Sequence, residues 1–262
     1  MILICYCIIF ANLIQNCYNM KYFSVLASSI IIILTLVGCN SSDKITNSYN
    51  KQSIIIDENG DQNISITRGS SFDHPTFVIW IEDLAGNYIY TVYITKSYAS
   101  GSYQYELVND SIWLNSEGPS YQLAALPYWN QKKGLINGVE IVPTIENPYI
   151  DAYTGATPKT NFSILNNSYS EASEYRVLLE INQLGDWNYY WTNTKYPESN
   201  AYKNSAQPSL IYSVVIDQNS SEFYLNPIGH GDPLGFSGKL NTNLSTLTTA
   251  KEIIKEIRVT IK

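Results

Sequence analysis

The stretch T-F-V-I-W-I-E (Thr76–Glu82), D-L-A-G-N (Asp83–Asn87), Y-I-Y-T-V-Y-I-T (Tyr88–Thr95) decides the fold class. Two runs rich in β-branched and aromatic residues flank a short cluster of turn formers, the pattern of a β-hairpin. In the first run Phe77, Ile79 and Ile81 alternate with Val78, Trp80 and Glu82, which predicts one aliphatic face and one mixed face.

Similar runs extend outward. Ser53–Asp57 and Asn63–Thr67 flank Glu58–Asp61, where Asn59-Gly60 predicts a second hairpin. Downstream, Ile112–Leu114, Val139–Val142, Phe162–Leu165, Glu174–Asn182, Leu210–Asp217, Glu222–Asn226 and Ile253–Ile261 are strand candidates. Pro127–Asn130 reads as a loop, and Leu244–Lys251 as one or two helical turns. A long aromatic loop, Gly185–Pro208, is inserted between strands, and glycine and proline punctuate 227–238. Many short strands with almost no helix predict an all-β sandwich over residues 53–262, with extra loops and a C-terminal strand. The 22 Tyr and five Trp suit pleated, half-buried surfaces. Whether the chain after residue 182 completes the same sandwich or forms its own lobe stays open.

The amino-terminal region carries an address. From Met20, Lys21 supplies a positive charge and Val25–Val37 an apolar core, too short for the roughly 20 residues a membrane-spanning helix needs. It ends in L-V-G-C (Leu36–Cys39), which resembles the bacterial lipobox. The expectation is a signal peptide over residues 1–38, with Met20 as the true start, and lipidation of Cys39 as the mature amino terminus. Residues 39–52 then form a polar, solvated tether. By the same resemblance, Asn40 lacks the acidic residue that retains lipoproteins in an inner membrane. The implied location is the cell envelope, lipid-anchored in an outer membrane and facing either the periplasm or the surface.

All four cysteines, at positions 5, 7, 17 and 39, fall in this region, so the domain itself has no thiol for a disulfide, a nucleophile or a soft-metal site. The full chain carries a net charge of −7, and loss of Lys21 with the signal makes the remainder one unit more negative. No basic block interrupts this balance, which argues against nucleic acid as a partner.

Asp151-Ala152-Tyr153-Thr154-Gly155-Ala156-Thr157 matches D-x-x-[S/T]-G-A-T and so resembles the acceptor motif of exported flavin-carrying domains. That resemblance implies FMN joined through its phosphate to the Thr157 hydroxyl, with Asp151, Thr154, Gly155 and Ala156 shaping the loop. The chain departs from the motif immediately afterward, at Pro158-Lys159. The architectural alternative is a turn, with Gly155 at positive φ and no cofactor. A wider resemblance runs through W-I-E-D-x-x-G-x-Y (Trp80–Tyr88), L-P-Y-W (Leu126–Trp129), D-A-Y-T-G-A-T-P (Asp151–Pro158) and Y-R-V-L-L-E-I-N (Tyr175–Asn182). It is similar to an uncharacterised family of predicted periplasmic proteins with an immunoglobulin-like domain akin to flagellar hook-assembly scaffolds. It implies an immunoglobulin-like antiparallel sandwich in which the T-G-A-T-P segment is architectural.

Trp187, Tyr189, Tyr190 and Trp191, with Trp129, form a second candidate, because flat aromatic faces beside Asn suit sugar rings; packing is the competing role. His74 and His230 are the only histidines, and His230 in G-H-G-D-P reads as a solvated loop residue. Glu82, Asp83 and Asp217 lack calcium-loop spacing, and Glu82 and Glu180 are strand carboxylates of unknown separation. No metal site and no catalytic set emerges. The function expected is a non-catalytic binding or scaffold lipoprotein of an exported system, with an envelope protein or a glycan as partner. A flavinylated electron carrier and a glycan-binding surface lipoprotein are the alternatives.

Overall fold

The hairpin forms with the expected bounds, Thr76–Glu82 and Tyr88–Thr95. The computed structural model describes residues 51–104, 106–109, 112–116, 118–134 and 142–262. The expected signal segment, Cys39, the tether up to residue 50 and most of the strand candidate at 139–142 lie outside the described residues.

Two large sheets carry the fold. The first has five strands in the order β1 (Gln52–Ile55), β10 (Phe162–Asn166), β2 (Gln62–Arg68), β15 (Ile254–Ile261), β13 (Glu222–Tyr224). The second has six: β14 (Asn226–His230), β12 (Leu210–Ile216), β11 (Tyr175–Asn182), β3 (Thr76–Glu82), β4 (Tyr88–Thr95), β9 (Tyr153–Gly155). The pairs β2·β10, β3·β11, β11·β12 and β3·β4 correspond to the B·E, C·F, F·G and C·C′ pairs of immunoglobulin-type sandwiches. Two edges depart from an antiparallel plan, since β1 runs parallel to β10 and β9 parallel to β4. Strands after residue 182 enter both sheets, so that part of the chain completes the sandwich.

Phe77, Ile79 and Ile81 of β3 pack between the sheets with Ile64, Ile66 and Phe162. The opposite face of β3 is mixed in composition, as its alternation predicts, and it too is buried. Val78, Trp80 and Glu82 are 0%, 0% and 1% exposed. The stretch between β4 and β9 carries four short strands, β5 (Ser102–Tyr103), β6 (Glu106–Asn109), β7 (Ile112–Leu114) and β8 (Gly118–Pro119), and two helices; α1 (Lys96–Ser100) and α2 (Pro127–Lys132) bring Tyr98, Leu126 and Trp129 over that face into a second apolar cluster with Val78, Trp80 and Leu178. A strand covered on both sides reads as a near-continuous apolar run, as T-F-V-I-W-I-E does.

Two further expectations are corrected. Pro127–Asn130 is helix rather than loop, with Pro127 in its first turn where a missing N–H costs nothing. Ser53–Asp57 and Asn63–Thr67 do not form a hairpin, because β10 lies between β1 and β2. A two-residue hairpin at Asn59-Gly60 needs left-handed backbone, and no residue from 57 to 61 has positive φ. Gly60 N instead donates to Asp57 O at 3.1 Å, and the backbone of Asn166 lies where a Gly60 side chain would stand. The aromatic loop contains a helix, α3 (Asn200–Ser205), and a 3₁₀ turn at Thr249–Glu252 precedes the last strand.

Candidate functional site

Within the segment 151–157, Tyr153–Gly155 form a short edge strand, preceded by a bend at 151–152. Tyr153, Thr154 and Gly155 pair in parallel register with Tyr93, Ile94 and Thr95. Gly155 is not at positive φ. Its role is steric: a Cβ there would stand 2.8 Å from the Tyr93 hydroxyl, whose proton goes to Ala156 O at 3.3 Å. Half-buried Thr157 donates its hydroxyl proton to Pro75 O at 3.0 Å, which ties the end of β9 to the start of β3. Esterification by FMN would remove that proton and the bond with it. The geometry fits a staple between strands better than an exposed acceptor loop.

Beside this strand lies an open cleft of about 500 Å³, lined by Ile56, Asp57, Tyr90, Thr91, Val92, Ile150, Asp151, Ala152, Tyr153, Asn166 and Asn167. It sits where the edges of the two sheets meet, between the chain leaving β1, the end of β10 and the segment entering β9. Ile150 is 80% exposed and Tyr153 43% exposed at its rim. Asp57 Oδ1 accepts from Asn59 N at 2.9 Å and Oδ2 from Asn167 Nδ2 at 2.7 Å. Burial, with Tyr169 and Asp61 nearby, pushes the Tyr90 phenol up to about 12.

No protein-family model, curated protein or solved structure matches this chain.

The predicted aromatic site does not assemble. Trp129 is fully buried in the outer cluster, where its Nε1 donates to Thr91 Oγ1 at 2.9 Å, and no ligand can stack on it. Trp191 belongs to the inter-sheet core at 5% exposure, with Nε1 donating to Thr246 Oγ1 at 3.2 Å. Trp187 packs edge-on against buried Tyr202, ring centroids 5.5 Å apart. Asn188 fastens the loop: its Oδ1 accepts from Tyr190 N and Trp191 N, and its Nδ2 reaches Gln207 Oε1 and Thr246 O. Only Tyr189 and Tyr190 remain exposed, and the Lys195 ammonium lies 3.2 Å from the Tyr190 ring centroid.

The remaining candidates are dispersed. Glu82 and Glu180 are no carboxylate pair: Glu180 stands opposite Val78, which leaves Glu82 four residues away along β3, about 13 Å. Glu82 accepts from Trp80 Nε1 at 2.9 Å, and burial raises its carboxyl above the ordinary range. Asp83 and Asp217 close turns by accepting from Asn87 N and Asn219 N, both at 2.8 Å. His230 is not a solvated loop residue but ends β14 at 6% exposure, its Nδ1 2.7 Å from Gly231 O. Burial lowers its pKa. His74 is exposed beside Asp73. Among the described residues no cluster of His, Cys, Asp and Glu could hold a metal ion.

One polar device escapes the sequence reading. Glu180 is completely buried, with no cation beside it among the described residues. Its carboxyl accepts from Ser209 Oγ at 2.5 Å, Trp129 N at 2.7 Å and Tyr128 N at 3.2 Å, clasping α2 onto the sheet. Burial pushes its pKa up to about 7 against the pull of those three donors. The signal was present, since a glutamate inside L-L-E-I-N must find partners. The partners themselves lie about 30 to 50 residues away in sequence, at Ser209 and α2.

Proposed function

We propose that the chain is a cell-envelope lipoprotein whose β-sandwich is a non-catalytic binding module, with the cleft beside β9 as its binding face. The observation that carries this reading is the cleft itself: exposed Ile150 and Tyr153 frame an open, carboxylate-lined hollow at the meeting of two sheet edges. Isolated exposed apolar residues are ordinary, but apolar rims around a concave site are features of binding surfaces. A catalytic reading has less support, because the buried carboxyls stand apart and the turn acids are committed to backbone. The lipobox resemblance at Leu36–Cys39 supports the anchoring.

The test is site-specific photocrosslinking in cells that export the full chain. A benzoylphenylalanine at Ile150 should give a discrete protein adduct, and one at Phe236, which is 71% exposed and outside the cleft, should not. Equal labelling at both positions, or none at Ile150, would refute the cleft as the binding face.

A further inference from the structure

The cleft has a chemistry of its own, and the following step rests on the binding-module reading. None of its lining residues is Lys, Arg or His, while two are aspartates. Asp151 is exposed and makes no hydrogen bond or ion pair among the described residues. Each Asp57 oxygen receives one donor, from Asn59 N or Asn167 Nδ2, and a carboxylate oxygen can accept a second. Two solvated acids alone would mean little.

The independent observation is Asn166, 4% exposed in the cleft wall. Its Nδ2 donates to Gln62 Oε1 at 3.1 Å and to Asn167 O at 2.8 Å, which fixes the amide's orientation. Its Oδ1, itself closed off from solvent, has no donor among the described residues, alone among the buried side-chain atoms of the lining residues. The positive end of this dipole is compensated and the negative end is not, so a partial negative charge adds to the field of the two aspartates. A buried acceptor without a donor loses its hydration without replacement, which is destabilising. Tyr90 and Tyr153 also line the cleft, and the net charge of −7 favours a cationic ligand at long range.

We propose that the cleft binds a cationic side chain, the ammonium or guanidinium group of a lysine or arginine presented by a protein partner. The aliphatic stem of that side chain lies along Ile150 and Tyr153 while its charged end meets Asp57 and Asp151.

The experiment is a backbone-amide NMR titration of the full chain in detergent micelles. The probes are Nα-acetyl-lysine methylamide and its arginine counterpart, with the norleucine and glutamate analogues as controls. The basic probes should give saturable shifts at residues 56–57, 90–92, 150–153 and 166–167, with a Kd of about 1–10 mM. Asp151→Asn should weaken binding about fivefold, and high salt should weaken it further. Equal shifts from norleucine, unchanged affinity in Asp151→Asn, or no saturable shift would overturn the proposal. A crosslink at Ile150 that persists in a chain carrying both Asp57→Asn and Asp151→Asn would leave the binding-module reading standing and overturn the cation assignment alone.

Discussion

Glu180 makes folding stability depend on pH in a direction unlike that of most carboxylates. Its carboxyl titrates near 7 in the folded chain and near 4.5 when free of the fold. Between these values the folded state holds a proton that the unfolded state has released. Stability from this group is therefore complete below about pH 4.5, falls as pH rises and levels off above about pH 7. The full drop is about 3 kcal/mol, an order-of-magnitude figure from 1.36 kcal/mol per tenfold change in proton affinity. The three donors from Ser209, Trp129 and Tyr128 already moderate it; burial without a cation causes the rest.

The assay is urea unfolding followed by tryptophan fluorescence at pH 5, 6, 7 and 8, for wild type and Glu180→Gln. Other groups titrate in this window, notably His230, whose lowered pKa makes stability fall as pH drops below 6.5. The difference between the two proteins removes most of these shared terms. Glutamine cannot satisfy all three donors, so the variant should be less stable at pH 5 by about 1 kcal/mol. The gap should close and reverse by pH 8, where the wild type buries a charge. A difference that stays flat from pH 5 to pH 8 would refute the reasoning, because it would mean that the carboxyl is already ionised at pH 5.

Gly155→Ala places a methyl 2.8 Å from the Tyr93 hydroxyl and should cost about 1–3 kcal/mol in thermal or urea unfolding, with part recovered when Tyr93→Phe is added. Thr157→Ala should lose about 1 kcal/mol with the Pro75 bond, and intact mass of the wild type exported with a flavin transferase should show no FMN-sized gain. Trp129→Ala should cost about 3–5 kcal/mol as a core truncation, whereas Tyr189→Ala, 77% exposed, should stay within about 0.5 kcal/mol. Thr91→Val keeps the shape but leaves the Trp129 indole N–H without its acceptor, which should cost about 1–3 kcal/mol in the same unfolding assay.

What the sequence made legible was local. The β3–β4 hairpin is bounded correctly because its turn is built from its own residues: Asp83 accepts from Asn87 N and from Asn87 Nδ2. The Asn59-Gly60 signal misleads because the competing event is not local: β10, about a hundred residues later, inserts between the two strands and fixes the Asp57–Gly60 turn from outside. Helix α2 carries legible marks, Pro127 at its start and Gly134 at φ 76° after a lysine pair, which the loop reading overlooks. Residue type singles out the aromatic candidates, but type does not separate a core tryptophan from a stacking one. That distinction needs the far partner, Thr91 for Trp129 and Thr246 for Trp191.

The cover over β3 and the cleft beside β4 are joined through one hydroxyl. Thr91 Oγ1 lies 2.9 Å from Trp129 Nε1, 3.3 Å from the Tyr149 hydroxyl and 2.8 Å from the Tyr88 hydroxyl, while those two phenols stand 3.0 Å apart. A threonine hydroxyl has one proton and two lone pairs, and the indole can only donate. Trp129 therefore takes one lone pair, and the two phenols share the remaining lone pair and the proton, with no valence left over. Burial pushes the Tyr88 phenol far above its ordinary range, so the network stays neutral and does not compete with Glu180 for charge. The chain from Tyr149 runs directly into Ile150–Tyr153, the cleft wall, and Thr91 itself lines that cleft. The side chains that hold α2 and Tyr149 to β4 thus also set where the cleft wall begins. On this account the long insertion between β4 and β9 has two consequences from one set of contacts: it buries Val78, Trp80 and Leu178 on the outer face of the six-stranded sheet, and its return segment builds one wall of the cleft with the exposed rim of Ile150 and Tyr153.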